Sequence, residues 1–340
     1  MSLLTPSSRT AAYKPALAWF AAIGSLWVFV LVMLGAFTTS IGAGMIFPDW
    51  PLSNGSVNPH GWIHNIDEFA EHSHRLSAEL MSLITIVIAV WVWRREARAW
   101  LRKLAGFAVA LVIAQAVVGG LRVLLDPDKV ASMHTTVGQL FAMLHACLGQ
   151  IYACVLFAIA LSLCRPWLVP AGAEAAGAAA RLRRTGRVCC GLILLQLAVA
   201  AVLRHYFAGL AIPTFPYATP GHGVLPAAWD FGVGINFTHT RLMALAVTIA
   251  LITFAVRIWR ERHAAAGVKQ AAVVMLGLLC LQIALGASII WSSRDPYFTT
   301  AHVLVGALTL VVTFGITWWL HREVIGTEDA AGSGPQTAHS

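Results

Sequence analysis

Charge is scarce in this chain of 340 residues: 11% are Asp, Glu, Lys or Arg, whereas 58% are hydrophobic. A water-soluble domain of this size could not cover so much apolar surface, so the composition points to a polytopic helical membrane protein. A separate basic domain is also missing. The formal net charge is +8, but Lys and Arg fall in short clusters between apolar runs, as topology signals do, and nucleic acid is not expected as a partner. Loop cysteines are absent too. Cys147, Cys154, Cys164, Cys189, Cys190 and Cys280 all lie within or at the edges of apolar runs, which argues against a disulfide framework and a CxxC metal site. Met1–Lys14 has no apolar stretch with a small-residue cleavage site, so no removable signal peptide is expected.

The chain does have eight apolar runs, at roughly 16–38, 72–93, 104–125, 133–163, 187–204, 237–258, 271–291 and 301–320, each long enough to cross a bilayer as a helix. Helices are expected over strands because the runs are continuous and backbone groups in lipid must bond internally. The loops after runs two, four and six are basic, the fourth-run loop holding Arg165, Arg181, Arg183, Arg184 and Arg187 around a flexible Ala/Gly stretch at 171–180. The opposite loops carry Asp49, Asp67, Glu68, Asp126, Asp128, Asp230 and Asp295. The positive-inside rule then puts both termini in the cytoplasm. The expected fold is an all-α integral membrane protein. It comprises a cytoplasmic segment 1–15, a four-helix bundle 16–165, a cytoplasmic linker 166–186, a second four-helix bundle 187–322 and a disordered tail 323–340.

The two bundles read as a tandem duplication. Gly44-x3-Pro48-x-Trp50-Pro51 recurs as Gly209-x3-Pro213-x-Phe215-Pro216 at an offset of 165, which also carries His74 onto His239. Gln115-x3-Gly119 followed by His134-x3-Gly138 matches Gln282-x3-Gly286 followed by His302-x3-Gly306, with Gln-to-His spacings of 19 and 20. Four helices per copy make this a parallel repeat about an axis along the membrane normal.

His74, His134, His239 and His302 each open an apolar run on the external side. Ionisable groups at such positions are functional candidates. Within a copy the two histidines begin helices two and four, which run in the same direction, so both sit at similar depth and can approach one centre from opposite sides. That is the geometry of bis-histidine haem ligation. No carboxylate cage or cysteine set accompanies them, which disfavours zinc or di-iron. Arg75, Arg122 and Arg241 either pair with haem propionates or snorkel to headgroups. Glu71 lies one turn before His74, and Asn236 takes its place in the second copy. An acid in one half only points to chemistry in that half; otherwise Glu71 is a charge favoured at a helix N-terminus. His145, eleven residues beyond His134 on a similar face, reads as a hydrogen-bonded core residue, with a second internal ligand or a proton-relay group as the alternatives, and His72, His60, His64, His205 and His222 read as surface residues. These patterns leave a haem-modifying oxidoreductase level with a di-haem cytochrome that passes electrons from a quinol, and a haem transporter is the third reading.

Over about residues 16–320 the chain resembles the haem A synthase family, membrane enzymes that convert haem O to haem A for cytochrome oxidase. The resemblance rests on Pro48-Asp49-Trp50-Pro51-Leu52, Glu71-x-x-His74-Arg75, Gln115-x3-Gly119-Gly120-Leu121, His134, His239, Gln282-x3-Gly286 and His302. It implies that His74 and His134 hold the substrate haem O, with Glu71 assisting by proton transfer or by stabilising developing positive charge. His239 and His302 would hold a haem b cofactor. The implied reaction is successive oxidation of one haem methyl group to a formyl group, with electrons leaving through the haem b to an unidentified acceptor. The implied setting is the inner membrane of a bacterium. Implied partners are haem O synthase, cytochrome oxidase assembly factors and further copies of the chain.

Three departures matter, one being that His145 is not part of the family pattern carried over here. Some members carry a cysteine pair around the Pro-Asp-Trp-Pro-Leu loop and another in the second copy; here those places hold Phe47 and Ser53, then Ile212 and Ala218, so a loop disulfide is excluded. The family's His-Arg pair appears in the second half as His239-Thr240-Arg241. One extra residue turns a helix by about 100°, and the expectation is that Arg241 is displaced while His239 keeps its place.

Overall fold

The computed structural model describes residues 13–126, 129–130 and 135–325. Eight helices in it are long and apolar enough to cross a membrane: α1 Pro15–Ser40, α2 Ile66–Arg95, α3 Ala99–Leu124, α4 Val137–Leu163, α5 Ala173–His205, α6 Phe231–Arg260, α7 Ala266–Trp291 and α8 Pro296–Leu320. The four helices that start at the histidine end are capped by polar side chains. Asn65 accepts from the Asp67 amide (2.9 Å), Asp230 from Val233 (2.7 Å) and Asp295 from Tyr297 (2.8 Å), while Thr136 and Gln139 form a reciprocal capping box. Such caps satisfy the amides that a helix start leaves without partners.

α4 and α8 are the most buried spans and pack against each other at the centre. Their lower ends are joined by a hydrogen bond from Trp318 Nε1 to Ser162 Oγ (3.0 Å). α1 packs on α2 and α4 of its own half and on α8 of the other; α5 packs on α6, α8 and α4. The two halves therefore share one apolar core, running through residues such as Leu156, Ile159, Leu251, Phe254 and Leu310. Outward-facing Trp19, Ile23, Leu26, Leu83 and Leu245 are exposed, as lipid-facing side chains would be.

Three local features differ from expectation. Residues 173–186, expected in the linker, are the first turns of α5; the stretch is rich in alanine, the strongest helix former. α4 begins at Val137, and before it Lys129–Val130 pairs antiparallel with Thr135–Thr136. Thr238–Met243 is a π-helical turn inside α6, which takes up the extra residue of His239-Thr240-Arg241 without turning the rest of the helix out of register. The loops after α1 and α5 are alike: Trp50-Pro51 and Phe215-Pro216, 165 positions apart, are both cis. All six cysteines are free.

Candidate functional site

Each half brings two imidazoles together edge-on. The ring centroids of His74 (α2) and His145 (α4) are 6.5 Å apart with the planes at 80°. Those of His239 (α6) and His302 (α8) are 6.3 Å apart at 74°. His74, His145 and His239 each stand eight residues past the start of their helix and His302 six. At about 1.5 Å per residue, all four lie about 9–12 Å inside, deeper than helix-opening positions.

The surroundings of His145 and His302 match. His145 Nδ1 is 3.1 Å from the Gln115 carbonyl, and His302 Nδ1 is 3.2 Å from the Gln282 carbonyl. A Cβ on Gly119 would stand 3.0 Å from His145 Cε1, and one on Gly286 would stand 3.1 Å from His302 Cε1. The side-chain amides of Gln115 and Gln282 approach Gly149 and Gly306 in the same way. His145-x3-Gly149 thus fills the place of His302-x3-Gly306. The first half has ten more residues between its glutamine and its histidine than the second; eight of them lie in the connection before α4 (125–136, against 292–295 before α8) and two in the helix ahead of the histidine. His134 belongs to that connection and lies outside the described residues. The available signal was a second His-x3-Gly in the first copy, at a spacing that allowed for an insertion.

The pairs fit a metal held between them. An imidazole nitrogen binds a metal at about 2 Å and lies about 1 Å from its ring centre, so two imidazoles across one ion have centroids about 6 Å apart. With Nδ1 of His145 and His302 facing carbonyls, Nε2 is the nitrogen left to ligate. His302 Nε2 lies 3.2 Å from the Gln282 amide nitrogen, a contact that a metal would replace. Nδ1 of His74 and of His239 is buried without a partner. Gly35 gives His74 its room, since a Cβ there would stand 2.7 Å from His74 Cε1.

Polar residues around the pairs hold the loops. Arg75 Nη1 donates to the carbonyls of Asp49 (2.8 Å) and Leu52 (2.5 Å), and Nη2 to that of Phe47 (3.1 Å). Arg241 Nη2 donates to the carbonyls of Thr214 (2.6 Å) and Tyr217 (2.9 Å), the repeat counterparts of Asp49 and Leu52. Arg241 is therefore not displaced: the π turn lets both it and His239 keep their stations. Glu71, 4% exposed, accepts from the Ile46 and Phe47 amides (2.8 and 3.1 Å) and from Arg75 (2.5 Å). Asn236 ties the second loop with the opposite polarity, donating to the Ala208 and Gly209 carbonyls (2.8 and 3.1 Å).

His72 is buried, with Nδ1 3.1 Å from Ser53 Oγ and its ring edge-on to Trp62; it faces the loop, and His74 faces His145. His205 is half-buried near Arg122 and His145. His60, His64 and His222 are exposed. The Arg122 guanidinium lies against Gly44, where a Cβ would collide with it. Arg122 acts electrostatically on both His74 and His145.

The chain is similar to known proteins over most of its length. The family model COX15-CtaA, described as cytochrome oxidase assembly protein, matches residues 18–314. A haem A synthase of Bacillus licheniformis is 26% identical over 296 residues, 85% of this chain and 89% of that protein. A haem A synthase of Geobacillus kaustophilus is 24% identical, covering 89% of this chain and 90% of its own length. One from Maricaulis maris is 35% identical over a shorter stretch, 27% of this chain and 29% of that protein.

Proposed function

The chain belongs to the COX15-CtaA family of cytochrome oxidase assembly proteins, and on that premise we propose that it is a haem A synthase, oxidising a ring methyl of haem O to a formyl group. The observation that carries the reading is the duplicated histidine pair, with centroids 6.5 and 6.3 Å apart. Two matched histidine pairs in one chain suit an enzyme that needs a substrate haem and a second, redox-active haem.

In this reading the first half takes haem O as substrate, its iron between His74 and His145. The second half would take haem b, held by His239 and His302, and that haem would supply one-electron redox chemistry. The protein's own part is placement. Gln115 and Gln282 orient one imidazole of each pair through its Nδ1. Arg75 and Arg241 pin the loops after α1 and α5.

Glu71 contributes a fixed carboxylate to the first half alone. Three of its acceptor positions are engaged by two amides and Arg75, and a carboxylate offers about four. The remaining lone pair and the ionised charge act on positive charge developing nearby in a site of low dielectric. The setting that fits is a bacterial inner membrane with both termini cytoplasmic, so that the histidine end faces outward.

The test is to purify the protein from cells that supply haem O, then extract and separate its haems. Haem B together with haem A, or a hydroxylated intermediate, is the expected result. Haem B alone, with haem O available, would contradict the proposal and favour a di-haem cytochrome that only transfers electrons.

A further inference from the structure

A row of arginines runs between the two histidine pairs. Arg204, near the end of α5, reaches across the seam between halves: its Nη2 donates to the Ala36 carbonyl (2.7 Å) and to Ser40 Oγ (2.9 Å) on α1. Arg122 from α3 and Arg294 from the loop before α8 lie within its electrostatic reach. The row acts on both histidine pairs, through Arg122 at His74 and His145 and through Arg204 at His302.

Matching glycines make room for the outer members. Gly44 accommodates the Arg122 guanidinium, and its repeat counterpart Gly209 faces Arg294, whose Cδ and Nε lie 3.6 and 3.8 Å from where a Cβ would stand. Arg294 is not the sequence counterpart of Arg122. It stands twelve residues after Gln282, whereas Arg122 stands seven after Gln115. It arrives from the loop, with Ser293 and Arg294 both in the left-handed region (φ 54° and 72°). Backbone of that kind in residues other than glycine is uncommon and tends to mark functional positions. Two different chain positions thus bring a guanidinium to equivalent glycine seats.

The row is short of counter-charge. Among the described residues, Arg122, Arg204 and Arg294 form no ion pair within 4 Å. Glu71 and Asp126 act on Arg122 at longer range, and Glu71 is already paired with Arg75. Three like charges gathered in a largely apolar seam repel one another and are costly to desolvate unless an anion joins them. Carboxylates arriving from both sides would satisfy the row, and a porphyrin in each half brings them, as propionates.

Resting on the haem reading above, we propose that Arg204 is a clamp shared by both halves, binding propionates of the porphyrin at each histidine pair, with Arg122 serving the first half and Arg294 the second. Guanidinium groups suit this task because they fork onto carboxylates. An anionic lipid headgroup offers similar chemistry, and the test separates the two sources.

The full chain, produced without haem in a haem-deficient host, is titrated in zwitterionic detergent with ferric protoporphyrin IX and with its dimethyl ester, and Soret absorbance is followed. His302→Ala isolates the first-half site and His74→Ala the second. In both backgrounds the free acid is expected to bind about tenfold or more tighter than the ester, as losing a charged hydrogen bond implies. Arg204→Gln is expected to abolish that preference in both backgrounds. Arg122→Gln should abolish it only in the first-half background and Arg294→Gln only in the second. Arg204→Lys, which keeps the charge, should restore part of it, and equal melting temperatures would show that the variants are folded. A preference that survives Arg204→Gln in either background overturns the shared clamp. Equal binding of acid and ester, with phosphatidylglycerol retained in native mass spectra only when Arg204 is present, assigns the row to a headgroup and also overturns it while leaving the haem reading intact. No Soret band with either compound would overturn both.

Discussion

His145 stands to the first half of the molecule as His302 stands to the second. Each turns Nδ1 to the carbonyl of a glutamine on the preceding helix (3.1 and 3.2 Å) and packs Cε1 against a glycine one turn later. Each faces a histidine two turns inside a helix that starts at the same end, His74 and His239 respectively. The duplication is thereby visible in hydrogen bonds as well as in spacing, and the predictions below use its agreements and its asymmetries.

The glycine cradles give the first prediction. Gly35→Ala would put a Cβ 2.7 Å from His74 Cε1, closer than carbon atoms approach, so the imidazole must move. The expected outcome is loss of most haem at the first pair with the second pair's spectrum unchanged. Gly286→Ala, at 3.1 Å from His302, should weaken the second pair and spare the first. Absorbance spectra of the purified variants check both, and an unchanged Gly35→Ala spectrum would remove His74 from the site.

The loop arginines should differ in importance although they make parallel contacts. Arg75→Ala leaves the buried Glu71 carboxylate without its cation, at a cost of ~3–5 kcal/mol. Arg241→Ala leaves neutral Asn236 and two carbonyls, at a cost of ~1–3 kcal/mol. Thermal melting in detergent, together with the rate of proteolysis in loops 47–53 and 212–218, measures the difference. Equal losses would contradict the ion-pair account.

Glu71 combines loop support with a proposed part in the reaction, and two substitutions separate them. Glu71→Gln keeps an oxygen to accept the Ile46 and Phe47 amides but loses the charge; it is expected to retain haem and to lower haem A formation at least tenfold, the scale of an electrostatic stabiliser. Glu71→Ala should abolish product while haem remains. Full conversion by Glu71→Gln would reduce Glu71 to a loop anchor.

At the opposite end, Glu96 is 4% exposed and takes Arg98 Nε at 3.0 Å and Nη2 at 2.8 Å. Burial works against its ionised form, but the Arg98 hydrogen bonds and charge outweigh it and hold the carboxyl below its ordinary value. A lowered folded pKa contributes stability above the unfolded value, about 4.3 for glutamate, and loses it as pH falls through the folded pKa. Wild type should therefore melt above Glu96→Gln at pH 6–7, and the gap should close below about pH 4. A gap that stays constant down to pH 3 would contradict the assignment.

Much of this was readable from the chain, and the exceptions have physical causes. The eight spans follow from continuous apolar runs, and the offset of 165 located His74, His239 and both cis-proline loops. The start of α5 was not legible, because an alanine stretch with glycines reads equally as linker or helix until packing decides. The partner of His74 was obscured by the ten-residue excess in the first half: two His-x3-Gly patterns compete, and only the geometry around Gln115 and Gly119 separates them. The π turn at Thr238–Met243 follows from tertiary constraints at both ends, His239 toward His302 and Arg241 toward the loop, and such a turn has no local sequence signature. Arg204 could not be placed because its partners, Ala36 and Ser40, lie in the other half.

The most direct test compares His145→Ala with His134→Ala in cells that supply haem O, measuring haem per protein by extraction and chromatography. The account predicts that His145→Ala loses the haem O-derived species and keeps haem B, and that His134→Ala keeps both. Retention of both haems in His145→Ala, with loss of the haem O-derived species in His134→Ala, would contradict it.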